Sequence, residues 1–293
     1  MKAKTYGDIV AAMSAEDLAR EIADPRKLRF AAMKSGWRRV EMAWAPFDPM
    51  NRQAKIAIFG ITPGRTQMEN TLRVYHSERQ CGATHREAAI IGKRQGAFSG
   101  DMRLTLIRIL NEVGIPNYLG ISGSSTLWGI DADKVHFSSA LRWPVFVEMR
   151  DDDGVHRMEN YTGSTPAVTS LPIFKEILKG VLAPELAGLP DDCLIAPLGV
   201  AATKAVLFAA DHVPALNRDR ILVGLPHPAG SARDVSSQFL GNPANPKRKS
   251  PLNPEYRETA LRLRAQVLQL AKASEPVNPR YQDFGLSRSQ SKL

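Results

Sequence analysis

The sequence predicts an α/β protein: a three-layer α/β/α domain on a central, mostly parallel sheet of four strands. Three observations carry that expectation. Four short apolar runs, at 55–59, 135–140, 194–198 and 221–224, have the length and composition of buried strands. Stretches with helical spacing separate them, the alternation that builds parallel sheets with helices on both faces. Two of the runs end in turns rich in Gly and Pro, and such sheets bind ligands in the crevice beyond the carboxyl ends of their strands.

Taken in order, residues 6–45 read as helical. Ile9, Met13, Leu18 and Ile22 fall at roughly helical spacing, and a basic stretch with Trp37 and Trp44 follows. The run 55–59 is the first strand. Residues 66–95 are long, polar and mixed in charge, and read as a lid, an insertion or an irregular helical excursion. Helical spacing returns at Met102–Leu110 and stops at Gly114. The second strand leads into Arg142-Trp143-Pro144, and an acidic turn, Asp151-Asp152-Asp153-Gly154, punctuates a loop-rich stretch. A helix is expected over Leu171–Leu182, with Pro172 tolerated in its first turn. The strand 194–198 runs directly into a helix at Ala201–Ala210, and 221–224 is the last strand. The resulting division is an N-terminal helical extension at 1–54, a main domain at 55–241 with an insert at 66–95, a linker and helix at 242–273, and a disordered polar tail at 274–293. No internal repeat is evident.

Composition narrows the classes of function. The 293 residues are 43% hydrophobic and 24% charged, ordinary for one large soluble domain. No apolar run approaches the ~18–20 residues that span a membrane, and Met1 to Arg20 lacks the apolar core of a secretory signal. Cys81 and Cys193 are the two cysteines. They are too few for a four-cysteine iron–sulfur or zinc cluster, and their use points to a reducing cytosol. His76, His85, His136 and His212 share no ligand-like spacing and read as surface or core residues, with His85 a spare catalytic candidate. No metal and no organic cofactor are expected. The net charge of +9 favours a polyanionic partner, although many basic proteins bind none.

Four segments could carry chemistry. In Gly60-Ile61-Thr62-Pro63-Gly64 the first glycine permits a sharp turn or a close approach to a ligand, and Pro63 pre-sets the backbone. The segment is neither a Walker A loop nor a dinucleotide fingerprint, and nowhere does the chain carry a nucleophile elbow. A plain βα turn is the simplest alternative. Pro226-His227-Pro228-Ala229-Gly230-Ser231 holds a histidine in a rigid turn at a strand end. Gly96-Ala97-Phe98-Ser99-Gly100 puts an aromatic ring between glycines, suited to stacking, or to anchoring the loop. Ser138 to Pro144 closes the second strand.

In this order the four segments resemble motifs of the uracil-DNA glycosylase superfamily, over roughly residues 55–235. The resemblance implies a four-stranded central sheet and a pocket that receives a flipped base. Gly60, Ile61, Pro63 and Gly64 correspond to the water-positioning turn, with Thr62 where the superfamily often has a carboxylate or amide. Thr62 can orient a water by hydrogen bonding but is no general base; Glu69 or another nearby acid is a substitute. His227 corresponds to the histidine that donates a hydrogen bond to the departing pyrimidine. Phe98 corresponds to the ring that stacks on the base, and Ser138 to the asparagine that reads its edge, with Phe137 or Ser139 selected by an offset of one. Ser231 is placed to hold a phosphate, and Arg233 to fill the gap left in the duplex. Ala229 stands where the superfamily has a serine, and the cluster cysteines are absent.

The expectation is a monofunctional DNA N-glycosylase, a hydrolase that flips out and excises uracil or another damaged or modified pyrimidine. Its setting is base-excision repair, or defence against modified phage DNA. The partner is double- or single-stranded DNA, the protein a cytoplasmic, nucleoid-associated monomer, and Lys247-Arg248-Lys249 a solvated basic run that could touch phosphate. A nucleic-acid-binding protein that does not cut is the alternative, favoured by Thr62. An unrelated α/β hydrolase or nucleotide-binding enzyme is a third.

Overall fold

The strand β3 (Ile56–Gly60) is buried along its whole length because it lies between two parallel neighbours. Its register pairs Ile58 with Phe137 of β4 (Val135–Ser139) on one side and with Ala196 of β7 (Leu194–Pro197) on the other. A strand hidden on both faces needs a continuous apolar run rather than an alternating one, as found here. The computed structural model describes residues 5–242 and 251–274.

Side chains alternate between two cores. Ile56 and Ile58 face α5 (Asp101–Glu112), α6 (Ile115–Leu119) and α11 (Pro254–Ser274) through Leu106, Ile109, Ile115, Leu263 and Val267. Ala57 and Phe59 face the opposite way, towards α7 (Pro172–Ile177), α8 (Ala183–Ala187) and α9 (Gly199–Ala210). The protein is therefore α/β, with a parallel sheet covered on both faces.

The parallel sheet has three strands, not the four expected. At 221–224 the strand is reduced to a single parallel bridge between Ile221 and Ile195, where the Leu222 N–H donates to the Ile195 carbonyl at 2.8 Å. Gly224, at φ +113°, and Pro226 turn the chain away before a ladder can grow.

A second sheet was not anticipated. β1 (Arg29–Ser35), β2 (Arg38–Ala43), β5 (Val145–Arg150) and β6 (His156–Asn160) form a four-stranded antiparallel sheet in that order. Residues 1–54 are thus not a helical extension: after α1 (Tyr6–Ala11) and α2 (Ala15–Ala23) the chain makes a hairpin, turned at Gly36 with φ +61°. The acidic stretch Asp151–Gly154 is the turn of the second hairpin, β5–β6. Val40, Met42, Val145 and Val147 pack on the parallel-sheet side, whereas Ala43 and Phe146 face a third core beneath α1 and α2.

Residues 66–95 are a packed helical pair rather than a lid. α3 (Arg65–Gln80) and α4 (His85–Gly96) approach so closely that a Cβ on Gly96 would meet the Thr71 hydroxyl at 1.8 Å, and one on Gly92 the Thr71 carbonyl at 2.8 Å. A capping box, Thr84 with Glu87, starts α4. The helix expected at 171–182 comprises α7 and a π-helical turn, Leu178–Leu182, that continues into α8. The last helix, α11, starts at Pro254 and packs against α10 (Arg233–Phe239). Residues 243–250 of the linker and the tail after Ser274 lie outside the described residues, and with them Lys247-Arg248-Lys249.

A buried charge cluster ties β4 to α8. His136 contacts Glu185 Oε1 through Nε2 at 2.6 Å, and Arg142 donates to Glu185 Oε2 at 2.7 Å. The Asn51 backbone N–H donates to His136 Nδ1 at 3.3 Å, so the ring proton sits on Nε2 and is given to the carboxylate. Burial pushes the His136 pKa down, with the charge of Lys93 acting the same way. For Glu185, burial works towards a higher pKa, but the hydrogen bond from His136 and the charges of Arg142 and Lys93 outweigh it and hold the carboxylate ionised. Removing one partner leaves the others buried and unmatched. Glu185→Ala is expected to cost about 3–5 kcal/mol in urea unfolding at neutral pH.

Candidate functional site

The turn leaving β3 emerges at the middle of the parallel sheet, where the strand order puts β4 and β7 on either side of it. Gly60 is pressed between two side chains: a Cβ there would lie 3.4 Å from both the Phe98 ring and the Ser139 hydroxyl. Ile61 and Pro63 are buried. Thr62 is buried too, and its hydroxyl donates to the Trp143 carbonyl at 2.8 Å and accepts from the Val145 N–H at 3.0 Å. Its donor and one acceptor site are thus committed to the approach to β5, and one lone pair remains. Gly64 begins α3 and lies against the Asn160 amide, whose Oδ1 accepts from the Arg65 N–H at 2.9 Å.

His227 faces this turn from the other side of β7. The Ala229 N–H donates to its Nδ1 at 3.1 Å, which leaves the ring proton on Nε2. Burial pushes its pKa below the usual histidine value, so at neutral pH the ring is an uncharged donor. Gly199, at φ +82°, lets the first turn of α9 approach: a Cβ at that position would sit 3.0 Å from the His227 Cβ. The two turns enclose a cleft of ≈ 350 Å³ lined by Ile61, Thr62, Gly64, Asn160, His227 and Ala229, with Gln67, Met102 and Val200. Among the described residues lining it, none is Asp or Glu. Glu69, the acid considered as a substitute, is not among them and pairs instead with Arg73 along α3.

Phe98 is not an exposed platform. Its φ of +49° is uncommon for a bulky residue, its N–H donates to Gln67 Oε1 at 3.1 Å, and its ring is buried against Phe137 at 6.0 Å. Beside it lies a void of ≈ 10 Å³ bordered by Phe47, Gln67, Lys93, Ser138 and Ser139. That is room for about one water and not for a base. The Ser138 hydroxyl, buried on this void, has no hydrogen-bond partner among the described residues. Gly60 thus packs on Phe98, and Phe98 and Ser138 share a space too small for a base.

Arg233 is exposed at the start of α10 and lines a second recess of ≈ 470 Å³, which shares Met102 and Ala229 with the first. Ser231 lies in the short turn Gly230–Ala232; its side chain lies outside the described part of the structure. His85 is remote from the cleft and bonds through Nδ1 to the Tyr75 hydroxyl at 2.7 Å. Among the described residues, no three His, Cys, Asp or Glu side chains gather as a metal site, and no helix is long and apolar enough to cross a membrane.

Sequence reasoning missed Lys93, Gln67 and Asn160. Lys93 is buried on α4, donating to the carbonyls of Phe47 at 2.9 Å and Pro49 at 2.7 Å, and burial pushes its pKa down to about 8. The capping box at Thr84 was a signal that would have placed it on a helix. Nothing local marks Asn160, which reaches the cleft from the far end of a hairpin.

Fold and cleft together define the class: an α/β protein with a ligand-sized cleft at the carboxyl ends of a parallel sheet. Among known proteins, the chain is similar to the uncharacterized protein YoxB of Bacillus subtilis (strain 168). The two are 33% identical over 194 residues, which cover 66% of this chain and 72% of the relative, and this chain belongs to the same family. No known family profile matches the chain, and no solved structure does.

Two outcomes follow from the site. The Lys93 pKa of about 8 lies below the unfolded value of 10.5, so between these pH values the unfolded state binds more protons. Folding stability from this group therefore rises with pH across that window, and below it the burial penalty stands in full. Urea titrations at several pH values are expected to show wild type gaining on Lys93→Met as pH rises from about 8 to 10.5. Gly199→Ala is strained by its positive φ and by the His227 contact. It should lose about 1–2 kcal/mol in thermal or urea unfolding and shift the His227 ring resonances in an NMR spectrum.

Proposed function

We propose that this protein is a monofunctional DNA N-glycosylase that excises uracil or another damaged or modified pyrimidine, on a scaffold of the uracil-DNA glycosylase kind. The observation that carries the reading is the meeting of two distant turns, Gly60–Gly64 and the His227 turn, across one cleft at the strand ends, with Phe98 packed on Gly60. Breaking the bond between the sugar C1′ and the base N1 sends an electron pair into the base, where negative charge grows on a ring carbonyl oxygen. A neutral His227 with its proton on Nε2 is suited to donate to that oxygen without first losing a proton. Water adds at C1′ and gives its proton to solvent, since no described residue of the cleft is a carboxylate that could act as a base. Thr62 and the Asn160 amide are among the polar groups that line the cleft, and Thr62 keeps one lone pair for the water.

Binding of a base requires the void beside Phe98 to open. The strained Phe98 backbone next to Gly100, at φ +83°, is the segment that would move. Ser138 would then gain the partner it lacks. The setting is cytoplasmic, in base-excision repair or in defence against modified phage DNA, with the protein acting as a monomer.

One observation favours a second reading, nucleic-acid binding without cleavage: no Asp or Glu lines the cleft among the described residues, and the Thr62 hydroxyl is engaged by Trp143 and Val145. The discriminating assay incubates the protein with duplexes and single strands carrying uracil, hypoxanthine or modified cytosines, and scores abasic sites by alkali. Abasic sites are expected on at least one pyrimidine substrate. His227→Ala should slow their formation by roughly 10²–10³-fold, with Phe98→Ala also impaired. Tight, salt-sensitive binding with no abasic site on any substrate selects the second reading.

A further inference from the structure

The recess that holds Arg233 does not end at the cleft. It shares Met102 and Ala229 with the strand-end cleft, and Arg108, Leu240 and Asn242 with a third recess of ≈ 440 Å³ that reaches Arg264 on α11. The three form one continuous groove running from the strand ends, between α5 and α10, to α11. We propose that a single nucleic-acid strand lies in this groove, with its phosphates on Arg108, Arg233 and Arg264. The proposal rests on the nucleic-acid reading above but not on base excision.

Charge and chemistry along the groove point to that occupant. All three arginines are exposed, and none forms an ion pair with a described carboxylate. Two acids also line it. Glu112 is already paired with Arg257 at 2.5 Å, and Asp101 sits at the start of α5. Three free cations against one unpaired acid leave the groove positive, in a chain of net charge +9. Small hydroxyl side chains, Thr66, Thr105 and Ser237, line the same recess as Arg108 and Arg233 and can donate to phosphate oxygens. Among the described residues, no aromatic side chain lines the two recesses beyond the cleft. Contacts of this kind hold a backbone and read no sequence. Recesses of a few hundred Å³ suit nucleotides taken singly, and a duplex would bridge over them.

The test measures anisotropy of a labelled, undamaged single strand of about a dozen nucleotides with the full chain, from about 50 to 200 mM salt. Arg108→Ala, Arg233→Ala and Arg264→Ala are combined in one variant. Lys27→Ala, Lys175→Ala and Lys179→Ala are combined in a control with the same change of charge, at exposed sites away from the groove. The groove variant should bind roughly tenfold more weakly at the lowest salt, and its slope of log Kd against log salt should flatten by about 2. The control should change far less. Equal losses in the two variants overturn the proposal. So does competition by poly-glutamate as effective as that of unlabelled strand, which would make the groove an acidic-peptide site. Thermal melts check folding, and Arg108→Gln and Arg233→Gln alone serve if the triple variant is unstable. Abasic-site scoring separates the two readings: a groove variant that loses binding while wild type never cuts sinks excision alone. Excision with unchanged groove-variant binding sinks the groove alone.

Discussion

The hydroxyl of Thr62 joins the two sheets at the point where the cleft opens, donating to the Trp143 carbonyl and accepting from the Val145 N–H. It links the turn that leaves the central parallel strand to the start of β5 in the antiparallel sheet. A buried hydroxyl with both its donor and an acceptor site satisfied is stable there, whereas a side chain of similar size without a hydroxyl would leave the Val145 N–H unpaired. The geometry of the cleft depends on this joint. It sets where Gly64 begins α3 and how Asn160, at the far end of the second hairpin, reaches back to the Arg65 N–H.

Around that joint the protein separates two kinds of ionisable group. Deep in the body, Glu185 is held by His136 and Arg142, with the Lys93 charge nearby, and the shifted pKa values of His136, Glu185 and Lys93 follow from burial and neighbouring charge. At the strand ends His227 has no charged partner among the described residues. Its ring is oriented by a backbone N–H and kept neutral by burial. The first group therefore bears on stability, while His227 is left with a donor directed by its surroundings. Perturbed titration alone does not separate the two histidines; His136 is the more completely buried of the two.

Much of the scaffold was legible because it depends on local pattern. The short, mostly apolar runs at 55–59, 135–140 and 194–198 read as strands covered on both faces, and α5, α9 and α11 follow from helical spacing. The antiparallel sheet was not legible. β1 is half exposed and carries Ala, Lys and Met, a mixture with no strand signature, and its only strong cue is the Gly36 turn. The strand at 221–224 failed for the opposite reason. Its composition was right, but Gly224 and Pro226 stopped the ladder after one bridge.

The sequence by itself determined the α/β class, the three strands of the parallel sheet and the two rigid turns at their ends, because these follow from composition and spacing within a few residues. Only the tertiary structure decided what those turns face. The engagement of Thr62, the burial of Phe98, the proton position on His227 and the exclusion of Glu69 each depend on a partner that is distant in sequence or set by the fold of a turn. Such contacts are fixed by how the chain packs, and no local pattern encodes them.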